Sequence, residues 1–313
     1  MDIPVSVVIA TGDRPEKLAN LLASLWAQKG RAAELVVVDA SSDGRTRALC
    51  ENSEDSAARV TYARAVERGA GAQRNQGVSL SSKPFVLFAD DDVVMEPGCL
   101  GALYEALASD GGLGGASALI TNQQYHPLGR ISRRFFAWLN GGDMDDFSGR
   151  CIGPAVGFLS WDAPGRAEIA PIDWAPTTCV MYRREALPDP VFDPFFKAYS
   201  LVEDMALSLV VARRWRLANM RGARVYHDRV KGEIKCGARQ FAAIEMVGRH
   251  YIMARVLGKD GAGDHLRFAA YQAFMLLSLL RTPLGRRILV PSLVGKLQAL
   301  PRVIETAWRM GCY

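Results

Sequence analysis

The sequence predicts an α/β fold, a mostly parallel sheet with helices on both faces, followed by a helical and basic C-terminal extension. Four apolar runs alternate with three helical stretches within the first 90 residues, and most of these runs stop at a polar or acidic residue. The balance of charge then reverses along the chain. Alternation of this kind specifies parallel strands covered by helices, because a crossover of this length brings the chain back in the same direction.

The elements follow in order. Val5-Ser6-Val7-Val8-Ile9-Ala10 is a β-branched run ended by Thr11-Gly12-Asp13, and Pro15 opens a segment with Leu18, Leu21, Leu22 and Leu25 on one helical face. Glu34 to Val38 is a second buried strand; it ends on Asp39 and passes through Ser41-Ser42-Asp43-Gly44 to another helix. Arg59 to Ala63 reads as a third strand, Ala70 to Leu80 as a short helix, and Pro84 to Phe88 as a fourth strand closed by Asp90-Asp91-Asp92. The middle, about residues 111–173, is rich in Gly and broken by Pro, and reads as irregular loops around short strands. A helix is expected from near Val202. After His227 the chain is helical, with Phe241, Ile244, Val247 and Tyr251 in register. Phe268 to Leu280 is nearly all apolar, yet as a helix it reaches only about 20 Å against a hydrocarbon core of ~30 Å.

Composition narrows the class. The 313 residues are 49% hydrophobic and 23% charged, which is globular usage. The cysteines, among them Cys50, Cys151 and Cys236, form no C-x-x-C pair, so neither a zinc knuckle nor a disulfide framework is expected, and a reducing cytosol is the natural compartment. Met1-Asp2-Ile3-Pro4 lacks the basic region of a signal peptide, so export is not expected. Residues 1–205 hold 19 basic and 27 acidic side chains, a balance of −8, whereas residues 206–313 hold 19 and 6, a balance of +13. An acidic first part suits a metal. A basic last part suits anionic lipid, a phosphorylated substrate or plain solvation. No nucleic-acid partner is expected, and the oligomeric state is left open.

Open sheets of this class bind ligands outside the carboxyl ends of their strands. Thr11, Asp39 and the Asp90 to Asp92 cluster all stand where a strand has just ended, so the fold gathers them on one edge. Three adjacent carboxylates repel one another unless a cation lies among them, and hard oxygen ligands suit Mg²⁺ or Mn²⁺, with a nucleotide diphosphate completing the shell. Asp143, Asp145 and Asp146 form a rival cluster in a Gly-rich loop, where a solvated turn is the simpler reading. No G-x-x-x-x-G-K-[ST] cradle, no G-x-G-x-x-G after the first strand and no G-x-S-x-G elbow occurs, which removes the usual signatures of ATP-driven phosphoryl transfer, nicotinamide chemistry and serine hydrolysis. Glu203-Asp204 opens a helix, where ionised carboxylates are favoured; the pair reads either as helix-start charges or as a general base. His227 by itself is structural or a ligand.

At this point the residues resemble family-two glycosyltransferases of the GT-A fold. Five ordered stretches carry the likeness over about residues 3–230: Val5 to Gln28, Glu34 to Thr46, Gly69 to Gly77 with Arg74, Asp90-Asp91-Asp92 with Pro97, and Glu203-Asp204 with Leu207 and Arg213-Arg214-Trp215. The resemblance implies that Thr11, Asp39 and Arg74 contact the base and ribose, with Asp91 in the nucleotide-sugar site. It implies that Asp90 lies near ribose or metal and that Asp92 ligates a Mn or Mg cation bridging the diphosphate. His227 would complete the metal shell, and Asp204 would be the catalytic base. Gly12 and Asp13 stand where the family often has an aromatic and an asparagine, and Ala175-Pro176-Thr177-Thr178 stands where many members have a glycine-containing acceptor loop.

The expectation is an inverting, metal-dependent glycosyltransferase moving a sugar from a nucleotide diphosphate sugar to a glycan or lipid-linked acceptor. The setting expected is cell-surface polysaccharide synthesis, in the cytoplasm or at the cytoplasmic membrane face against an anionic surface. Residues 1–230 would form the catalytic domain, with a nucleotide-sugar half to about 110 and an acceptor half to 230, and residues 231–313 the helical extension. The alternatives are a silent glycan-binding or scaffold protein on the same fold, and a sugar-phosphate nucleotidyltransferase, whose glycine-rich Arg and Lys signature at the first turn is absent.

Overall fold

The computed structural model describes residues 2–52, 59–123, 128–162, 165–196, 201–228 and 236–308. Strand β1 (Asp2–Thr11) leads into helix α1 (Pro15–Trp26), β2 (Arg31–Asp39) into α2 (Arg45–Asn52), and β3 (Arg59–Arg64) into α3 (Ala70–Ser79). β4 (Phe85–Asp90), the short β5 (Val93–Met95) and α4 (Cys99–Ser109) follow. Pro15 at the first turn of α1 costs no hydrogen bond there and presets φ. Leu18, Leu21 and Leu22 are fully buried, each contributing about 2 kcal/mol of transfer free energy.

The register explains how the site is gathered. β3, β2, β1 and β4 lie side by side and parallel, with Thr11 opposite Asp39, Ala10 opposite Asp90, and Asp39 opposite Arg64. Thr11, Asp39 and the acidic cluster thus end on one sheet edge, as the strand ends predicted. Alternate side chains of β1 enter different cores. Val5, Val7 and Ile9 pack with α1 and α4, whereas Val8 packs with Phe88, Tyr182 and Phe192 on the other face. Helix α3 approaches β1 closely, and a Cβ on Gly77 would lie 2.4 Å from Val8 Cγ1.

The middle of the chain is more ordered than the sequence reading expected. β6 (Leu113–Ile120) is buried along its whole length, and α5 (Arg130–Asn140) follows it. The glycines that suggested loop are packing devices here. A Cβ on Gly115 would fall 2.7 Å from the Tyr182 ring, and one on Gly114 would fall 2.4 Å from Trp215 Cβ. A hairpin, β7 (Cys151–Ile152) with β8 (Val156–Gly157), and β9 (Ile169–Ile172) precede β10 (Cys179–Arg183), which inserts antiparallel between β4 and β6.

Helix α6 (Glu203–Val211) starts where expected, and β11 (Arg216–His227) runs parallel to β6 and carries β9 and β5 on it as antiparallel partners. The sheet order is β3-β2-β1-β4-β10-β6-β11-β5, with β9 paired to β11. The C-terminal part is helical: α7 (Ala238–Tyr251), α8 (Ala262–Ser278) and the 26-residue α9 (Pro283–Trp308). The run from Phe268 to Leu280 divides by face. Phe268 and Tyr271 are buried, and Phe274 stacks on Phe135 of α5 at 4.2 Å, while Leu277 and Leu280 are exposed. Among the described residues no helix is long and apolar enough to cross a membrane.

Candidate active site

At the carboxyl edge of the sheet, β4 delivers Asp90 and the following turn delivers Asp91 and Asp92. The end of β11 brings His227 across from β5, with His227 opposite Val93. Ligand atoms of Asp90, Asp92 and His227 all lie within 4.8 Å of one another. His227 Nε2 is 3.1 Å from Asp92 Oδ1, and its backbone is pinned by Asn122 in both directions, at 3.0 and 2.7 Å. Two carboxylates are hard oxygen donors and the imidazole a borderline nitrogen donor, a set that fits Mn²⁺ and, less well, Mg²⁺.

Asp91 and Asp92 are adjacent and differently placed. Asp91 is buried; its Oδ2 accepts the Thr11 hydroxyl at 2.7 Å and its Oδ1 pairs with Arg14 at 2.8 Å. Burial pushes the Asp91 carboxyl up to about 6, partly offset by Arg14 and Thr11. For Asp92 the burial cost is outweighed by the His227 hydrogen bond and charge and by Arg14, which hold it at about 2. Arg14 thus spans both carboxylates, 3.0 Å from Asp92 Oδ2. The sequence reading did not single out Arg14. It stands three residues after β1, on the strand edge where the other site residues were sought, and position was the signal.

The remaining nucleotide-site candidates are anchored from below. Asp39 is fully buried; Oδ1 accepts the Ser41 backbone N–H at 2.8 Å and the Ser41 hydroxyl at 2.5 Å, and Oδ2 accepts the Tyr62 hydroxyl at 3.0 Å. Gln73, also unforeseen, donates to the Thr11 and Val38 carbonyls at 2.8 and 2.9 Å and so ties α3 to two strand ends. At the mouth, Asp13 takes a left-handed φ of 58° and accepts the Ser42 N–H and hydroxyl at 2.7 and 2.9 Å. Arg74 reaches Asp90 at 2.6 Å and Glu203 at 3.5 Å, and its guanidinium lies over the Phe192 ring. The acidic cluster is therefore balanced by Arg14 and Arg74 as well as by any bound cation.

Asp204 follows Glu203 in the first turn of α6 and accepts the Met205 N–H at 2.7 Å. Burial, reinforced by the Glu203 charge, pushes its carboxyl up to about 7. Val202 before it has a φ of 67°, the left-handed conformation that turns the chain into the helix. The acceptor-loop segment lies beside the site: the Thr178 carbonyl accepts the Asp90 N–H at 3.2 Å. The rival acids lie elsewhere, on an exposed loop. Asp143 pairs with Arg133, and Asp146 with Arg166.

The sheet thus carries acidic residues and a histidine on its carboxyl edge. Residues 6–138 match the family model described as glycosyl transferase family 2. The chain is 32% identical over 108 residues to the succinoglycan biosynthesis protein ExoU of Rhizobium meliloti, covering 34% of this chain and 30% of that protein. It is 27% identical over 103 residues to the GalNAc(5)-diNAcBac-PP-undecaprenol beta-1,3-glucosyltransferase of Campylobacter jejuni, covering 32% and 33%. These matches span about a third of each curated relative. Among solved structures, the fold is similar to mannosyltransferase PcManGT of Pyrobaculum calidifontis in complex with GDP-Man and Mn²⁺, with TM-score 0.58 and 16% identity over 95% of this chain and 87% of that one. It is also similar to glucosyl-3-phosphoglycerate synthase of Mycobacterium tuberculosis with Mn²⁺, UDP and glucosyl-3-phosphoglycerate, with TM-score 0.52 and 19% identity over 83% and 81%.

Proposed function

We propose that this protein is an inverting glycosyltransferase that moves a sugar from a nucleotide diphosphate sugar to a hydroxyl of a glycan or lipid-linked acceptor. One observation carries the reading. Arg74 bridges Asp90 of the metal-type cluster and Glu203, so the helix start that bears Asp204 is held against the same sheet edge as Asp92 and His227. The two comparison structures with Mn²⁺ and the curated relatives, named for succinoglycan biosynthesis and for an undecaprenol-linked glycan, support the cation and the acceptor class. A lipid-linked acceptor places the reaction at a membrane surface.

In this mechanism Asp204 takes the proton of the acceptor hydroxyl, and that oxygen bonds to the anomeric carbon from the face opposite the diphosphate. The bond from that carbon to the diphosphate breaks, and the nucleoside diphosphate leaves with the electron pair. A Mn²⁺ or Mg²⁺ held by Asp92, Asp90 and His227 would supply neutralisation of the leaving diphosphate. Asp39, Thr11, Arg74 and Asp91 shape the nucleotide side, and Asp39 and Asp91 act mainly by fixing the strand ends, since their oxygens are engaged within the protein. Residues 1–230 are the catalytic domain in this reading and residues 231–313 its helical extension.

The test is a thermal-shift screen of UDP, GDP, dTDP and CMP sugars with and without Mn²⁺, followed by calorimetry on Asp92→Ala. One donor class should stabilise the protein only with Mn²⁺ and lose that dependence in the variant. A variant whose donor binding still rises with Mn²⁺ as the parent's does would refute the metal assignment, and no response to any donor would refute the function.

A further inference from the structure

We propose that the C-terminal helices form a docking surface for a membrane rich in anionic phospholipid. Helix α9 packs inward through Ala299, which joins Met246, Met253 and Phe268, and through Lys296, which reaches Glu245 at 3.2 Å and also bonds Gln272. Its opposite side carries Val290, Leu293, Leu297, Leu300 and Ile304 at i, i+3, i+7, i+10 and i+14, which places them on one stripe. All five are exposed, Val290 by 66% and Leu297 by 56%. Helix α8 repeats the pattern, with Leu266 and Leu277 exposed by 65% and 63%. Through the Phe135–Phe274 stack it abuts α5, where Ile131 and Trp138, seven residues apart, are also exposed. Exposed large apolar side chains in this number, five of them on one stripe of α9, mark an interaction site.

The charge says which partner. Residues 265–304 contain no acidic side chain but hold Arg267, Arg281, Arg286, Arg287, Lys296 and Arg302. Among the described residues Arg281, Arg286 and Arg287 make no ion pair, so their charge is free for an anionic surface. Apolar stripes flanked by unpaired arginines complement acyl chains beneath anionic headgroups. A second copy fits less well. Pro291 and Pro301 lie within α9, where they disturb the regular helix that a knobs-into-holes seam requires. Arg286 also falls four residues before Val290 on the stripe itself, so parallel copies would oppose like charges. The helices lie on the surface rather than through it, since among the described residues no helix is long and apolar enough to cross a bilayer.

The experiment is vesicle sedimentation of the full chain with phosphatidylcholine alone and with phosphatidylcholine mixed with phosphatidylglycerol. Binding should appear only with phosphatidylglycerol and fade at high salt. Two variants at exposed positions, Leu293→Glu with Leu297→Glu and Arg286→Glu with Arg287→Glu, should keep the thermal transition and lose binding by about tenfold or more. The inference is overturned if the protein stays in the supernatant with the anionic vesicles, or if the first variant binds like the parent. It is also overturned if equilibrium sedimentation shows a dimer that this variant splits while no vesicle binding occurs. Vesicle binding needs no sugar transfer, so this inference and the proposed reaction can fail separately.

Discussion

Arg74 Nη2 lies 2.6 Å from Asp90 Oδ1, and this pair joins α3 to the end of β4. A second nitrogen of the same guanidinium reaches Glu203 at 3.5 Å, so one side chain holds the metal-type cluster and the start of α6 together. Arg74→Ala removes the guanidinium that pairs with Asp90 and reaches Glu203. The expected loss of stability is about 2–3 kcal/mol, below the range for a fully buried pair because Asp90 is 27% exposed. Urea unfolding reads it as a lower midpoint. Arg74→Lys should recover only part, since one ammonium cannot match the planar fork that spans both acids.

Asp204→Asn should lower transfer by about 10²–10⁴-fold while leaving nucleotide affinity unchanged. The base works ionised, and burial raises its carboxyl to about 7, so the rate should rise with pH through the neutral range and the variant should lose that limb. Stability moves the other way. A folded pKa above the unfolded one means that stability is lost as pH rises through the folded value, so Asn at 204 should raise the Tm of the metal-free protein at pH 8. Turnover profiles and calorimetric melting check both signs; near-parental transfer would return Asp204 to a helix-start charge.

Gly115→Ala tests the packing of β6. The new Cβ would lie 2.7 Å from the Tyr182 ring and 2.9 Å from Leu217, in the centre of the sheet where neither neighbour can retreat. A destabilisation of about 1–3 kcal/mol is expected. Gly101→Ala, in open space on α4, should cost nothing and serves as the control.

His250 is fully buried on α7, stacked against His265 with ring centroids 5.3 Å apart. Burial, with His265 adding, pulls its imidazole down to about 4. Below the unfolded value of about 6.5 the unfolded chain takes up a proton that the folded one refuses, so stability should fall between pH 6.5 and 4 by up to about 3 kcal/mol. His250→Leu should flatten that stretch of the profile. Chemical unfolding at several pH values measures it, and an unchanged slope in the variant would show that other groups set the acid limb.

The alternation of strand and helix, the strand ends and their polar residues were legible in the sequence because each depends on local periodicity. Thr11 beside Asp39 and Ala10 beside Asp90 then follow from parallel pairing. The helix start at Glu203-Asp204 was legible for the same reason. What escaped was whatever depends on contact between distant segments. Gly114 and Gly115 have the composition of a loop, and only the Trp215 and Tyr182 side chains pressing on them make that stretch a central strand. Arg14 has no periodic signature, and its place between Asp91 and Asp92 exists only once β1 and β4 are adjacent. The apolar run from Phe268 to Leu280 leaves contact with a membrane, the catalytic domain or a second subunit open in sequence, and in space it divides, buried at Phe268 and Tyr271 and open at Leu277 and Leu280. Sequence alone determined which residues stand at strand ends and helix starts; tertiary structure decided which charges meet and which apolar faces stay uncovered, because burial and Coulomb interaction depend on distance through space, not along the chain.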